Sequence, residues 1–185
     1  MRLLRPVAPA LLLLGLSFFT ACRALPEDPP ATVESVDLNR YTGLWHELAR
    51  LPVFFQKDNE RATAEYVMND AGNIDLVNTA IAPDGSQRSV TGTAVPVAGS
   101  NNAKLKVSID KFFAQIFGSP PDYGNYWILK LESDYSIALV GSPNRKTLWL
   151  LAKTPEIPAS KLQTYIAYAE TLGYDISELI INNGH

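Results

Sequence analysis

The chain is poor in the residues that reactive chemistry draws on. Among 185 residues there is one cysteine, Cys22, and there are two histidines, His46 and the terminal His185. One cysteine excludes an intramolecular disulfide, and with two distant histidines it leaves no credible metal or haem site. The stretch GLWHELAR, Gly43 to Arg50, begins like half of a zinc-protease helix. That motif needs a second imidazole four residues after the first, and Arg50 stands there instead. Neither a G-x-S-x-G nucleophile turn nor a G-x-x-x-x-G-K-[ST] phosphate loop occurs. Positive charge is also scarce, with 16 Lys+Arg against 19 Asp+Glu and a net charge of -3, which argues against nucleic acid as a partner. No metal and no cofactor is expected, and an enzyme finds no support in these residues.

What is present begins with an export signal. Arg2 and Arg5 precede an apolar run from Ala10 to Phe19 that ends in small residues, the layout of a secretory signal. The run is too short for a permanent membrane helix, which needs ~20 residues. Phe19-Thr20-Ala21-Cys22 resembles the bacterial lipobox, with Phe19 in place of the usual leucine. The resemblance implies lipidation of Cys22 after removal of residues 1–21, and Arg23, where an aspartate would retain the protein at the inner membrane, implies the outer membrane. The alternative is a soluble export signal cut near Ala21 or Ala24. The proline- and acid-rich residues up to 34 then read as a tether, and residues 35–185 as one domain.

From Leu38 onward the apolar residues recur mostly with period two, in short runs divided by turn residues. The runs predict strands over 43–51, 61–69, 73–81, 87–97, 103–110, 124–132, 135–142 and 146–153, with antiparallel neighbours. Pro158, then Leu162, Ile166, Ala169 and Leu172 on one face, then Gly173, predict a single helix. Leu179-Ile180-Ile181 reads as a last short strand. The fold class is all-β, either an eight-stranded up-and-down antiparallel barrel with one C-terminal helix packed outside or an open sandwich of the same strands. The aromatic tract 111–117 within the proline-containing loop 111–123 reads as a loop packed on its own barrel, as a mouth flap, or as a contact for lipid or a second copy in a homodimer.

Three motifs then carry a family resemblance. Asn39 to Trp45 resembles the G-x-W signature of the lipocalins, Asp134-Tyr135 with Ala138 to Gly141 the second signature, and Leu148 to Pro155 the third. With the lipobox and the late helix, the chain is similar to the bacterial outer-membrane lipocalins, a branch that also resembles apolipoprotein D. The resemblance selects the closed barrel and gives Gly43, Trp45 and Lys153 structural roles at its floor. In the family an arginine packs across the tryptophan; here Lys153 can place a charge over Trp45 without the planar stacking surface.

Alternation assigns the lining. On the first strand Trp45, Glu47 and Ala49 share one face, and Leu44, His46, Leu48 and Arg50 the other. With Trp45 at the floor, Glu47 points inward, either as a structural carboxylate satisfied by its neighbours or as the polar end of a ligand site. The same rule turns Ala64 and Tyr66, Leu76 and Asn78, Val107, and Trp127 with Leu129 inward, next to Leu105, Ile109 and Leu131. These residues are the candidate ligand contacts. The resemblance implies a carrier for a fatty acid or lysophospholipid, lipid-anchored in the outer membrane and facing the periplasm. A structural envelope lipoprotein without a saturable ligand, and an enzyme acting on a lipophilic substrate, are the other readings.

Overall fold

The computed structural model describes residues 24–109 and 119–183. Cys22 and the aromatic tract 111–117 lie outside the described residues. A one-turn helix α1 (Leu38–Tyr41) leads into β1 (Gly43–Arg50), β2 (Arg61–Met68), β3 (Ile74–Ile81), β4 (Gln87–Pro96), β5 (Lys104–Ile109), β6 (Tyr126–Leu131), β7 (Ile137–Gly141) and β8 (Leu148–Ala152). Helix α2 (Ala159–Thr171) and the two-residue strand β9 (Ile180–Ile181) follow. Every predicted strand forms, with ends trimmed by at most two residues.

From β1 to β8 each strand pairs antiparallel with its sequence neighbour, and β1 pairs with both β8 and β2. That double pairing closes the sheet into an eight-stranded barrel, so the sandwich alternative falls. Closure is incomplete along one seam. The β1–β2 ladder ends at His46 opposite Thr63, and β9 takes the vacated edge of β1 at Ala49 and Arg50. The last strand therefore patches the place where the barrel begins to open.

The floor is built by α1. Asp37 caps it by accepting from the Asn39 amide at 3.0 Å, and the Trp45 indole donates to the Tyr41 carbonyl at 2.8 Å. This fixes Trp45, fully buried, beneath the interior. At the opposite end lie the loops β1–β2, β3–β4 and β7–β8, which form the mouth. The segment expected to be a free tether is partly docked on the wall: Val33 donates its amide to the Ile128 carbonyl at 3.0 Å, and Arg145, in the β7–β8 loop, donates to the Asp28 carbonyl at 2.6 Å.

Two apolar clusters result, one on each side of the sheet. The inner one holds Tyr41, Trp45, Ala64, Tyr66, Ile74, Leu76, Ala94, Leu105, Ile128, Ala138, Val140 and Leu151. The outer one lies under α2, whose Leu162, Tyr165 and Ala169 pack on Leu48, Ala49, Trp127, Leu129, Leu139 and Leu150. Strand β7 is buried at all five positions because it has protein on both faces.

Candidate functional site

The barrel interior grades from closed to open. Near the floor the inward-facing Trp45, Tyr66, Ile74, Leu76, Ala94 and Leu105 are buried. Toward the mouth the inward-facing Asn78, Ala80, Val90, Val107 and Ile109 keep accessible surface, as does Trp149; Tyr126, whose hydroxyl meets that of Tyr41 in α1, is half-buried lower down. Strand register places them on one face: Trp45 opposite Ala64, Ala64 opposite Asn78, Asn78 opposite Val90, and Ala94 opposite Val107. A side chain that faces inward yet remains accessible borders a lumen. Ala64, Tyr66, Leu76, Asn78 and Val107 all point into it.

Trp127 and Leu129 do not. Lys104 pairs directly opposite Trp127 and sets its ammonium 3.9 Å from the indole, which puts the ring on the outer wall. A register shift between Ile128 and Lys130 then leaves both Leu129 and Lys130 facing outward, under α2. The expected inward pair is corrected to Tyr126 and Ile128. Simple alternation failed because a bulge inserts one residue and flips every side chain before it.

A second shift, between Glu47 and Ala49, does the same on β1. It turns Leu48 and Ala49 outward and brings Arg50 onto the inner face with Glu47. Arg50 is 0% exposed, Glu47 6%, and the guanidinium Nε lies 3.2 Å from Glu47 Oε1. The same carboxylate oxygen accepts from Gln56 and Asn182, each at 3.0 Å. Arg50 in turn donates to the Lys57 carbonyl at 2.6 Å. Glu47 thus pins the β1–β2 loop and the C-terminal segment to β1 where the β1–β2 ladder ends. Burial is the larger influence on its titration and pushes the carboxyl up to about 7, against the lowering effect of Arg50 and the two amides. Farther out, Arg88 bonds both oxygens of Glu60, at 2.6 and 3.3 Å, and completes a charge-balanced rim.

The floor seal has the expected partners. Lys153 Nζ lies 4.1 Å from the centroid of Trp45 and donates to the Thr42 carbonyl at 2.5 Å. Burial lowers the ammonium to about 8. Gly43 has φ +95, and a Cβ there would stand 3.4 Å from that ammonium, so the turn into β1 accepts no side chain without strain. Arg50, Gln56 and Arg88 were not legible as site residues; the bulge that turns Arg50 inward leaves no mark on the stretch GLWHELAR.

A closed barrel with a sealed floor and an apolar inner wall that keeps accessible surface above it defines a class: proteins that enclose a small apolar ligand. Among the lipocalins this architecture meets the present sequence directly. The lipocalin-like domain family matches residues 36–183, and the chain belongs to it. It is similar to the outer membrane lipoprotein Blc of Escherichia coli strain K12, at 34% identity over 97% of this chain and 96% of that protein. The Blc of Vibrio cholerae is 35% identical over 86% and 88%. The temperature-induced lipocalin-1 of Arabidopsis thaliana is 35% identical over 80% and 78%. Among solved structures, apocrustacyanin C2 superposes with a TM-score of 0.58 at 16% identity over 88% of this chain and 94% of that one, a likeness of fold alone.

Proposed function

We propose that the barrel holds one single-chain lipid amphiphile, a fatty acid or lysophospholipid, for storage or transfer in the cell envelope. The observation that carries this is the inner wall, which is buried at the floor and accessible from mid-height to the mouth. Ala64, Tyr66, Leu76, Asn78 and Val107, with Tyr126 and Ile128, are the proposed lining. Affinity comes from covering an acyl chain, at about 25 cal/mol per Å² of apolar surface removed from water. Glu47 serves the wall, since its donors come from its own chain.

The proposal includes an anchor at Cys22 in the outer membrane, with the domain facing the periplasm, in keeping with the names of the bacterial relatives. More than one acyl chain on that residue would make the attachment stable. Asp28 is held beside the mouth by Arg145. It lies six residues after Cys22, a reach of about 20 Å at full extension. A lipid on Cys22 therefore keeps the mouth near the bilayer, the source of its ligand.

Native mass spectrometry of the full-length protein extracted from its own membrane tests the carrier reading. The expected spectrum shows one bound lipid per barrel. A protein found empty, and empty again after challenge with palmitic acid and lysophosphatidylethanolamine, would leave a structural envelope lipoprotein as the better reading.

A further inference from the structure

Three tyrosine hydroxyls from three different elements meet at the lumen floor. Tyr126 Oη of β6 lies 2.8 Å from Tyr41 Oη of α1 and 3.3 Å from Tyr66 Oη of β2, and the rings of Tyr41 and Tyr66 stack at 5.9 Å. Burial pushes the Tyr66 phenol up to about 12 and holds Tyr41 and Tyr126 well above the usual phenol value, so all three keep their protons.

Each phenol has one proton to donate. The cluster therefore has three protons and two internal hydrogen bonds, and the third proton has no acceptor among the described residues. Position indicates which hydroxyl carries it. Tyr126 Oη is the one within hydrogen-bond distance of both others, so it is the one that can accept twice. With Tyr41 and Tyr66 both donating to it, the Tyr126 hydroxyl directs its own proton into the lumen. A buried donor left without an acceptor is costly, and an apolar lumen offers none of its own nearby.

We infer that Tyr41, Tyr66 and Tyr126 form a subsite at the closed end of the lumen that donates one hydrogen bond to a neutral oxygen of a lipid entering head first. The chemical class is an ester or amide carbonyl, a hydroxyl, or an un-ionised carboxyl. Charge decides against an anion there. No cation donates to the cluster among the described residues: Arg50 is held by Glu47 and the Lys57 carbonyl, Arg88 by Glu60, and Lys153 by the Thr42 carbonyl. A carboxylate at the floor would lose its hydration for a single neutral donor, a net cost. An ionised fatty acid consequently keeps its head at the mouth, while a neutral head group reaches the floor. This rests on the lumen being a ligand site and adds the direction of insertion.

The test uses full-length protein in a fluorinated surfactant, with hexadecane and carbonyl-labelled methyl palmitate as probes. Affinities are read by tryptophan fluorescence and the ester carbonyl by infrared spectroscopy. Methyl palmitate is expected to bind about three- to tenfold tighter than hexadecane, the worth of one ordinary hydrogen bond, with its carbonyl band moved to lower frequency. Replacing Tyr41, Tyr66 and Tyr126 together by phenylalanine abolishes both effects. Tyr66→Phe retains both, because two phenols sharing one bond still leave one proton over. A carbonyl band unshifted in the wild-type protein overturns the subsite whatever the variants do, as does a shift that survives replacement of all three tyrosines by phenylalanine. Failure of both probes to bind overturns the lumen reading, and the subsite with it.

Discussion

Glu47 and Arg50 form a buried ion pair, Oε1 to Nε 3.2 Å, although strict alternation along β1 would put them on opposite faces of the barrel. The bulge at Leu48 brings them together. A pair in such surroundings gains little over a well-packed apolar pair, but removing one member strands the other. Glu47→Leu should lower the unfolding free energy at pH 8 by about 3 to 5 kcal/mol, because Arg50 keeps only Asp58, 4.0 Å away, as a carboxylate neighbour among the described residues. Adding Arg50→Met to Glu47→Leu should restore most of the loss. Urea unfolding of the two variants checks this, and an additive double variant would contradict the pairing.

The same carboxyl gives stability a pH dependence of definite sign. In the unfolded chain it ionises near 4.5, and in the barrel burial delays that to about 7. Between these values the folded state binds more protons than the unfolded one, so this group's contribution falls as pH rises through the window and levels off above it. The full effect is about 3 kcal/mol. Thermal unfolding from pH 4.5 to 8 should show the fall in the wild-type protein, and Glu47→Gln, which has no proton to lose there, should lack it.

The fold was legible because the barrel's outer face on β2, β3 and β4 is wet. Glu65, Asp75 and Thr91 mark that face, and alternation assigned Ala64, Tyr66, Leu76 and Asn78 to the interior. On β6, β7 and β8 helix α2 covers the outer wall, so apolar residues occupy both faces and polarity no longer marks direction. Trp127 and Leu129 were misassigned there for that reason, compounded by the bulge. The tyrosine cluster was half visible: period two reached Tyr66, but nothing local connects it with Tyr41 and Tyr126, which come from α1 and β6.

Lys153 closes the floor through two contacts, the Trp45 ring at 4.1 Å and the Thr42 carbonyl. Lys153→Met keeps the stem and removes both, and should cost about 1 to 2 kcal/mol. Lys153→Arg should be at least as stable as the wild-type protein, because a guanidinium adds a planar surface to lie on the indole. Calorimetric melting temperatures of the two variants decide the matter, with Lys153→Met below the wild-type value and Lys153→Arg not below it.

Arg145 joins three parts of the chain by donating to the Leu172 carbonyl at the end of α2 at 2.6 Å, to the Asp28 carbonyl at 2.6 Å, and to the Asp28 carboxylate at 3.3 Å. These bonds differ in worth. The Asp28 side chain is 96% exposed, and such ion pairs contribute little. Asp28→Ala should therefore change almost nothing, since the main-chain bond survives. Arg145→Ala removes all three while keeping a Cβ at the same positive φ of 59, so the backbone cost is unaltered. Loss of the helix-end bond should lower stability by about 1 kcal/mol. Release of Asp28 should also loosen the segment leading to Val33, whose amide is hydrogen-bonded to the Ile128 carbonyl. Hydrogen exchange of the Val33 amide should thus quicken in Arg145→Ala and stay at the wild-type rate in Asp28→Ala; equal rates in all three proteins would show that Arg145 does not hold the segment.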